Sequence, residues 1–489
     1  MSMPEPSLRK YQPTTGDPWD YTKAAHLLNR AGFGGKPAEI DRLVQMGFEA
    51  AVNEVVDYET VPDAFPAVDF SEIYALVEEA LRLRQAGAEE RARFAINNRI
   101  QQANRQKLQE LRETWVTRMI QTRRPLQEKM ALFWHGHLVS GWPEVQNAEH
   151  LTIQNELFRR MALGNYKDLI LAIVRDPAML TYTENFQNRK GKPNENLGRN
   201  LMEMFTTGIG NYTEEDVKEN ARALTGWTWR GNEFFFNRAQ HDDGTKTFMG
   251  VTGNLDAPDT IDIIFRQPST ARFLPRKLFE FFAYLRPEER IVDDLAGVFK
   301  VTNFSVKPVV RRILESQLFY SPRTIRALVK SPVQLIVGAV RQLEGDQTPV
   351  RPLVAAMDLM GQALLYPPNI GGWPKGEGWI TTATVLMRYN FSGLLMTGRM
   401  PGLPRRTGAP GLDAARFVSG TPGTAADVVG QLTQRLLYKS LDGRRQFGLL
   451  RTLGANRPTD RFVPDGPQTA ERLRTLTHMI MSMPEYQVT

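Results

Sequence analysis

The 489-residue chain contains no cysteine. That excludes a disulfide framework and any thiolate-bound metal, and it fits a reducing or an oxidising compartment equally well. No apolar run approaches the ~18 residues of a membrane-spanning helix, so no span is expected. The opening stretch MSMPEPSLRKYQPTTGDPWD has neither an apolar stretch nor a small-residue cleavage site. A secretory signal is therefore not expected, and the chain is assigned to the cytoplasm, with export alongside a partner left open. The Gly-rich strand–turn–helix fingerprint of dinucleotide sites is missing, which argues against a flavin or nicotinamide enzyme. The G-x-S-x-G elbow of α/β-hydrolases is missing too, and there is no fixed-period repeat. Histidine is scarce: His26, His135, His137, His150, His241 and His478 are all there are.

Charge of one sign is not concentrated either. Lys and Arg number 61 against 54 Asp and Glu, a formal charge of +7, but the two signs are interleaved along most of the chain. No basic stripe forms, so no nucleic-acid partner is expected. The exception, Arg105 to Arg124, reads as a solvated helix face. Apolar residues at 42% are enough for a sizeable core.

What is present is helical periodicity, and it predicts a mainly α, multi-helix globular fold. Residues 1–20, polar and Pro-rich, read as a surface arm. A helical main domain is expected over 21–399. Within it, the Gln-, Arg-, Glu- and Ala-rich tract 71–122 reads as a long helical arm interrupted near Gly87. Thr213 followed by Glu214, Glu215 and Asp216 predicts a helix N-cap with acids in the first turn. Residues 226–252, rich in aromatics, Thr and Gly, predict a β-hairpin or small sheet inserted among the helices. A Gly/Pro/Arg linker is placed at 400–425, and a helical tail over 426–489 is expected to pack on the main domain.

Several separated motifs carry a resemblance. HLLNRAGFGG, KMALFWHGHLVSG, LGNYKDLILAIVRDPAML, NRKGKPNENLGRNLMEMFTTGIGNYTEEDVKENARALTGW, HDDGTKTFMG, LVKSPVQLIVGA, MGQALLYPPNIGGWP and PEYQ occur in that order. Together they resemble a bacterial family called domain of unknown function 1800, over about residues 21–485. The resemblance implies no defined activity. It implies frequent export, and a neighbour protein resembling alkaline phosphatases and sulfatases. It also implies Glu at the position held here by Asn200.

Three segments concentrate side chains that could do chemistry. In FWHGHL, His135 and His137 could share a metal if Gly136 lets the backbone extend, whereas in a regular helix they diverge by roughly 200°. In PNENLGRNLMEMF, Glu195, Arg199 and Glu203 fall at i, i+4 and i+8 on one helix face. They form either a salt-bridge ladder or a general base and anion clamp, with Asn194 and Asn196 at a helix start that favours an anion. In HDDGTK, His241 with Asp242 or Asp243 suits a metal and Lys246 an oxyanion. The bland alternative there is a hairpin turn with Asp243-Gly244 in type I′ geometry. The loop YPPNIGGWPKGEGWI, with Tyr366, Asn369, Trp373 and Trp379, either flanks a pocket for a sugar or planar group or plugs the core.

Three function classes follow. The first is a metal-dependent hydrolase or lyase acting on an anionic or sugar-like substrate. It would hold one divalent ion on His135, His137, His241 and Asp242 or Asp243. Glu195 or Glu203 would be its base, Arg199 or Lys246 its anion holder, and Asn194, Asn196, Trp373 and Trp379 would contact substrate. The second is a non-catalytic partner of the phosphatase- or sulfatase-like neighbour, docking through the 71–122 arm. The third is an iron-dependent redox enzyme using the same cluster.

Overall fold

The structure is a computed structural model. It describes residues 7–399 and 411–489, except 419, 421, 440, 442, 464 and 465. Half of the 400–425 linker and residues 1–6 of the expected arm thus lie outside the described residues. The fold is mainly α, with two small two-stranded antiparallel sheets among the described residues.

The helices used below, in chain order, are α1 (Tyr21–Ala31), α2 (Ser71–Gln85), α3 (Glu90–Gln121), α4 (Pro125–His137), α5 (Ala148–Arg160), α6 (Asn196–Asn200), α7 (Glu214–Ala223), α8 (Pro268–Phe282), α9 (Pro332–Gln342), α10 (Thr382–Thr397), α11 (Ala425–Leu437) and α12 (Pro467–Ser482). Their starts follow local chemistry. Pro125, Pro268, Pro332 and Pro467 occupy first-turn positions, where no intrahelical N–H bond is lost. The expected cap before α7 is present as a reciprocal box: Asp216 N donates to Thr213 Oγ1 at 3.1 Å, and Thr213 N donates to Asp216 Oδ2 at 2.8 Å.

Helices α2 and α3 pack against each other as a hairpin. The second half of α3 is not a solvated face, as its Arg and Gln content suggests. Leu108, Leu111, Trp115, Val116, Met119 and Ile120 are all buried. The arginines between them reach acids: Arg118 Nε lies 2.8 Å from Glu128 Oε1 on α4. Arg159 of α5 pairs with the same fully buried carboxylate, and Trp115 Nε1 donates to its Oε2 at 3.1 Å. One Glu thus ties together α3, α4 and α5.

Residues 7–20 lie against the body. Leu8 and Tyr11 are buried, and the Tyr11 ring meets Phe48 edge-on at 5.1 Å. The C-terminal helices pack on it as well: Tyr486 Oη donates to Gln342 Oε1 at 2.8 Å, and Val488 bridges antiparallel to Val329.

The β insertion is two hairpins, not one. β1 (Trp227–Arg230) pairs with β2 (Glu233–Phe236), and β3 (Lys246–Phe248) with β4 (Val251–Gly253). The HDDG segment is the link between them. The type I′ requirement of positive φ at both turn residues is met by Met249 (45°) and Gly250 (82°). Asp243-Gly244 is therefore not the hairpin turn.

Candidate functional site

The expected three-segment assembly does not form. Among the described residues, no group of three or more His, Cys, Asp or Glu side chains converges where a metal ion could sit. The reason is visible at each member. His135 and His137 both lie in regular helix, since α4 continues to His137. They point to different sides of it, as the helical spacing demands. His135 Nε2 accepts the Leu365 N–H at 3.1 Å, and its ring packs by Trp115 and Trp373. His137 stacks on Phe133, with Nε2 3.0 Å from Tyr166 Oη. The Tyr166 hydroxyl donates to the Phe205 carbonyl, so the hydrogen-bond pattern assigns the proton to His137 Nε2. Burial pushes His135 down to about 3 and His137 well below the usual imidazole range. Both are neutral at ordinary pH.

Gly136 does not extend the backbone. Its role is close packing: a Cβ on Gly372 would fall 2.4 Å from Gly136 O, so this pair of glycines lets the 366–379 loop sit directly on α4.

The other predicted residues are engaged locally. His241 Nδ1 donates to the Thr225 carbonyl at 2.8 Å, and Phe236 covers the ring edge. Asp242 pairs with Arg222 at 2.8 Å and accepts the Gly244 N–H, which holds its carboxyl at about 2. Asp243 is exposed while His241 is buried, so the two do not share a face. Lys246 is buried, and its Nζ donates to the Asp242 and Gly244 carbonyls at 2.6 and 3.1 Å and so ties the linker together.

The acidic stripe is a salt-bridge ladder in its first turn. Arg199 meets Glu195 at 3.1 Å and grips Glu214 with two bonds, at 2.8 and 2.7 Å. The chain then passes from α6 into a π-helical turn, Leu201–Thr206. Glu203 leaves the ladder and accepts from Tyr212 Oη at 2.6 Å. Asn194 Oδ1 accepts the Asn196 N–H at 2.9 Å, and the Asn196 side chain is exposed.

One predicted segment does line a cavity. A pocket of about 140 Å³ lies between α4, α8, the segment before α9 and the 366–379 loop. That volume is close to a cavity that admits benzene. Trp373, Trp379 and His137 are in its wall, together with Phe133 and Phe281. Trp373 Nε1 is buried without a hydrogen-bond partner among the described residues.

Three lysines also line this pocket: Lys129, Lys277 and Lys375. Among the described residues Glu280 is the one acid in the lining, and Lys375 lies 3.7 Å from it. Lys129 is only 3% exposed, and among the described residues its Nζ has neither a hydrogen bond nor an ion pair. Its ammonium instead lies 5.3 Å from the Phe33 ring centre and 5.2 Å from that of Phe281. Burial, helped by the charge on Arg30, pushes Lys129 down to about 7. Burial and nearby Lys375 push Lys277 down to about 8.

Neither amine stands out by sequence motif, yet a signal existed. Lys129, Leu132, Phe133, Gly136 and His137 repeat at the helical core spacing, so Lys129 occupies an apolar stripe position of α4. Lys277, Glu280 and Phe281 do the same on α8.

A family model described as Protein of unknown function (DUF1800) matches residues 26–488. The chain belongs to this family. The DUF1800 match takes in every segment that lines the pocket, from α4 to the loop before α10. No curated protein and no solved structure matches the chain.

Proposed function

We propose that the chain is an enzyme that takes a small organic anion with an apolar or planar body into the lysine-lined pocket. The observation that carries this reading is the imbalance of its lining: three lysines face one glutamate, and two of the amines have no ion-pair partner among the described residues. A buried cation without a counter-ion is costly, and a bound anion would relieve that cost. The tryptophan and phenylalanine walls suit the ligand body, and the unpartnered Trp373 N–H suits an acceptor on it. Amines held near neutrality suit proton transfer at ordinary pH. The metal donors expected from the sequence are engaged elsewhere, so no step is assigned to them.

Calorimetry with benzoate and phenyl phosphate tests this. Both should bind, and Lys277→Met should weaken binding about tenfold, the size of one lost charged hydrogen bond. The anion favours the protonated amines, so affinity should fall as pH rises from about 7 through 8. Binding at pH 7.5 should also take up protons, making the measured heat depend on the buffer. No binding, or binding indifferent to Lys277→Met and to pH, would remove the pocket as the site.

A second reading concerns the arm. Tyr74, Val77 and Leu81 are 50%, 41% and 52% exposed at helical spacing on α2, and Phe94 on α3 is 65% exposed. An apolar stripe of this kind fits a partner protein that presents its own apolar helix, and the phosphatase- or sulfatase-like neighbour is the partner to try. Leu81→Glu should abolish co-sedimentation with that partner and leave benzoate binding intact. An unchanged complex would dismiss the arm as its dock.

A further inference from the structure

The pocket reading leaves one feature unexplained. Anion binding alone would be served by an exposed lysine or an arginine with satisfied neighbours. Lys129 is neither. It is carried on a buried helix beside Phe33, Phe281 and the pocket space, with no hydrogen bond or ion pair among the described residues. A hydrogen-bonded ammonium would have its lone pair blocked by protons and its nitrogen held by partners. This nitrogen has no partner to release. Its burial disfavours the charged form, and the charge of Arg30 works in the same direction. Lysines desolvated next to other cations are the ones that act as nucleophiles.

We propose that Lys129 forms an imine with a small anionic aldehyde or ketone bound in this pocket. The proposal rests on the pocket reading above and names its substrate class. The Nζ lone pair adds to the carbonyl carbon while the carbonyl oxygen gains a proton, giving a carbinolamine. The C–O bond then breaks, the C=N bond forms and water leaves. Both protons of the neutral amine end in that water, so the step is redox-neutral and needs no further reactant. Once protonated, the imine draws electrons from the adjacent carbon, which is where a proton or a carboxylate would next depart. Lys277, with its amine near neutrality in the same pocket, is placed to exchange that proton.

Reductive trapping of the full chain with 4-carboxybenzaldehyde and sodium cyanoborohydride, read by intact mass and peptide mapping, tests this. The expected result is one fast adduct per chain, on Lys129. It should form at least tenfold faster than at the surface lysines at pH 7, with a rate that rises through a midpoint near 7. Benzoate should slow it, and Lys129→Met and Lys129→Arg should abolish it. Label spread over surface lysines, unchanged in Lys129→Met, overturns the proposal. If benzoate binds by calorimetry but Lys129 stays unlabelled, the imine fails while the anion pocket stands. If neither benzoate nor the aldehyde binds, both fail.

Discussion

Lys129→Met is expected to stabilise the folded chain by roughly 2–4 kcal/mol near pH 7. The amine titrates near 10.5 when unfolded and at about 7 when folded. Between those values the unfolded state binds more protons, so stability rises with pH across that window. Below about 7 both states are protonated and the full penalty of the buried ammonium is felt. Methionine has a similar length and no charge, and it would sit among Phe33, Phe281 and Leu132 without that penalty. Denaturant unfolding of the two proteins at pH 6, 8 and 10 checks the claim. The gap between them should be widest at pH 6 and shrink towards pH 10. A variant less stable than the parent at pH 6 would mean that Lys129 has a stabilising partner after all. The same substitution removes the nucleophile, so stability and reactivity should move in opposite directions. Active-site groups commonly carry such a trade.

The second large effect lies one residue earlier and has the opposite sign. Glu128→Gln should destabilise the chain by about 3 kcal/mol, at the low end of what breaking a buried ion pair costs. Glu128 is fully buried and serves Arg118, Arg159 and the Trp115 indole. With a neutral amide, the buried Arg159 and the partly buried Arg118 lose their shared counter-charge. Arg118 keeps Asp63 at 3.3 Å and Arg159 keeps Glu156 at 2.6 Å, which is why the low end is expected. A midpoint shift in denaturant with an unchanged slope would match this account. A loss below 1 kcal/mol would show that the surrounding acids suffice. Neighbouring positions on α4 thus hold a carboxylate that secures the helix and an amine that strains it.

Helical class, the cap at Thr213 and the aromatic loop with Trp373 and Trp379 were legible because each rests on local chemistry or periodicity. The site was not. The HDDG and FWHGH segments gather rare residue types, and rarity says nothing about where side chains point. Spacing alone allows His135 to be a ligand, but its helix turns it onto Leu365. Arg199 and Glu195 found each other as spacing predicts, but the π-helical turn that removes Glu203 from their row has no plain sequence mark. Lys129 carries no motif mark in the sequence because lysine is common and normally solvated. Its significance comes from a helix face covered by α8 and by a loop that arrives only after position 366, a tertiary fact that no window along the chain contains.

The contact of Gly372 on Gly136 has a kinetic corollary. Its two halves are far apart along the chain, so the cost of closing so long a loop falls on the step that docks residues 366–379 onto α4. Helices α3, α4 and α5, joined by Glu128 and by short connections, can assemble before that step. The walls of the cavity that residues 366–379 supply are therefore complete only once that docking has taken place.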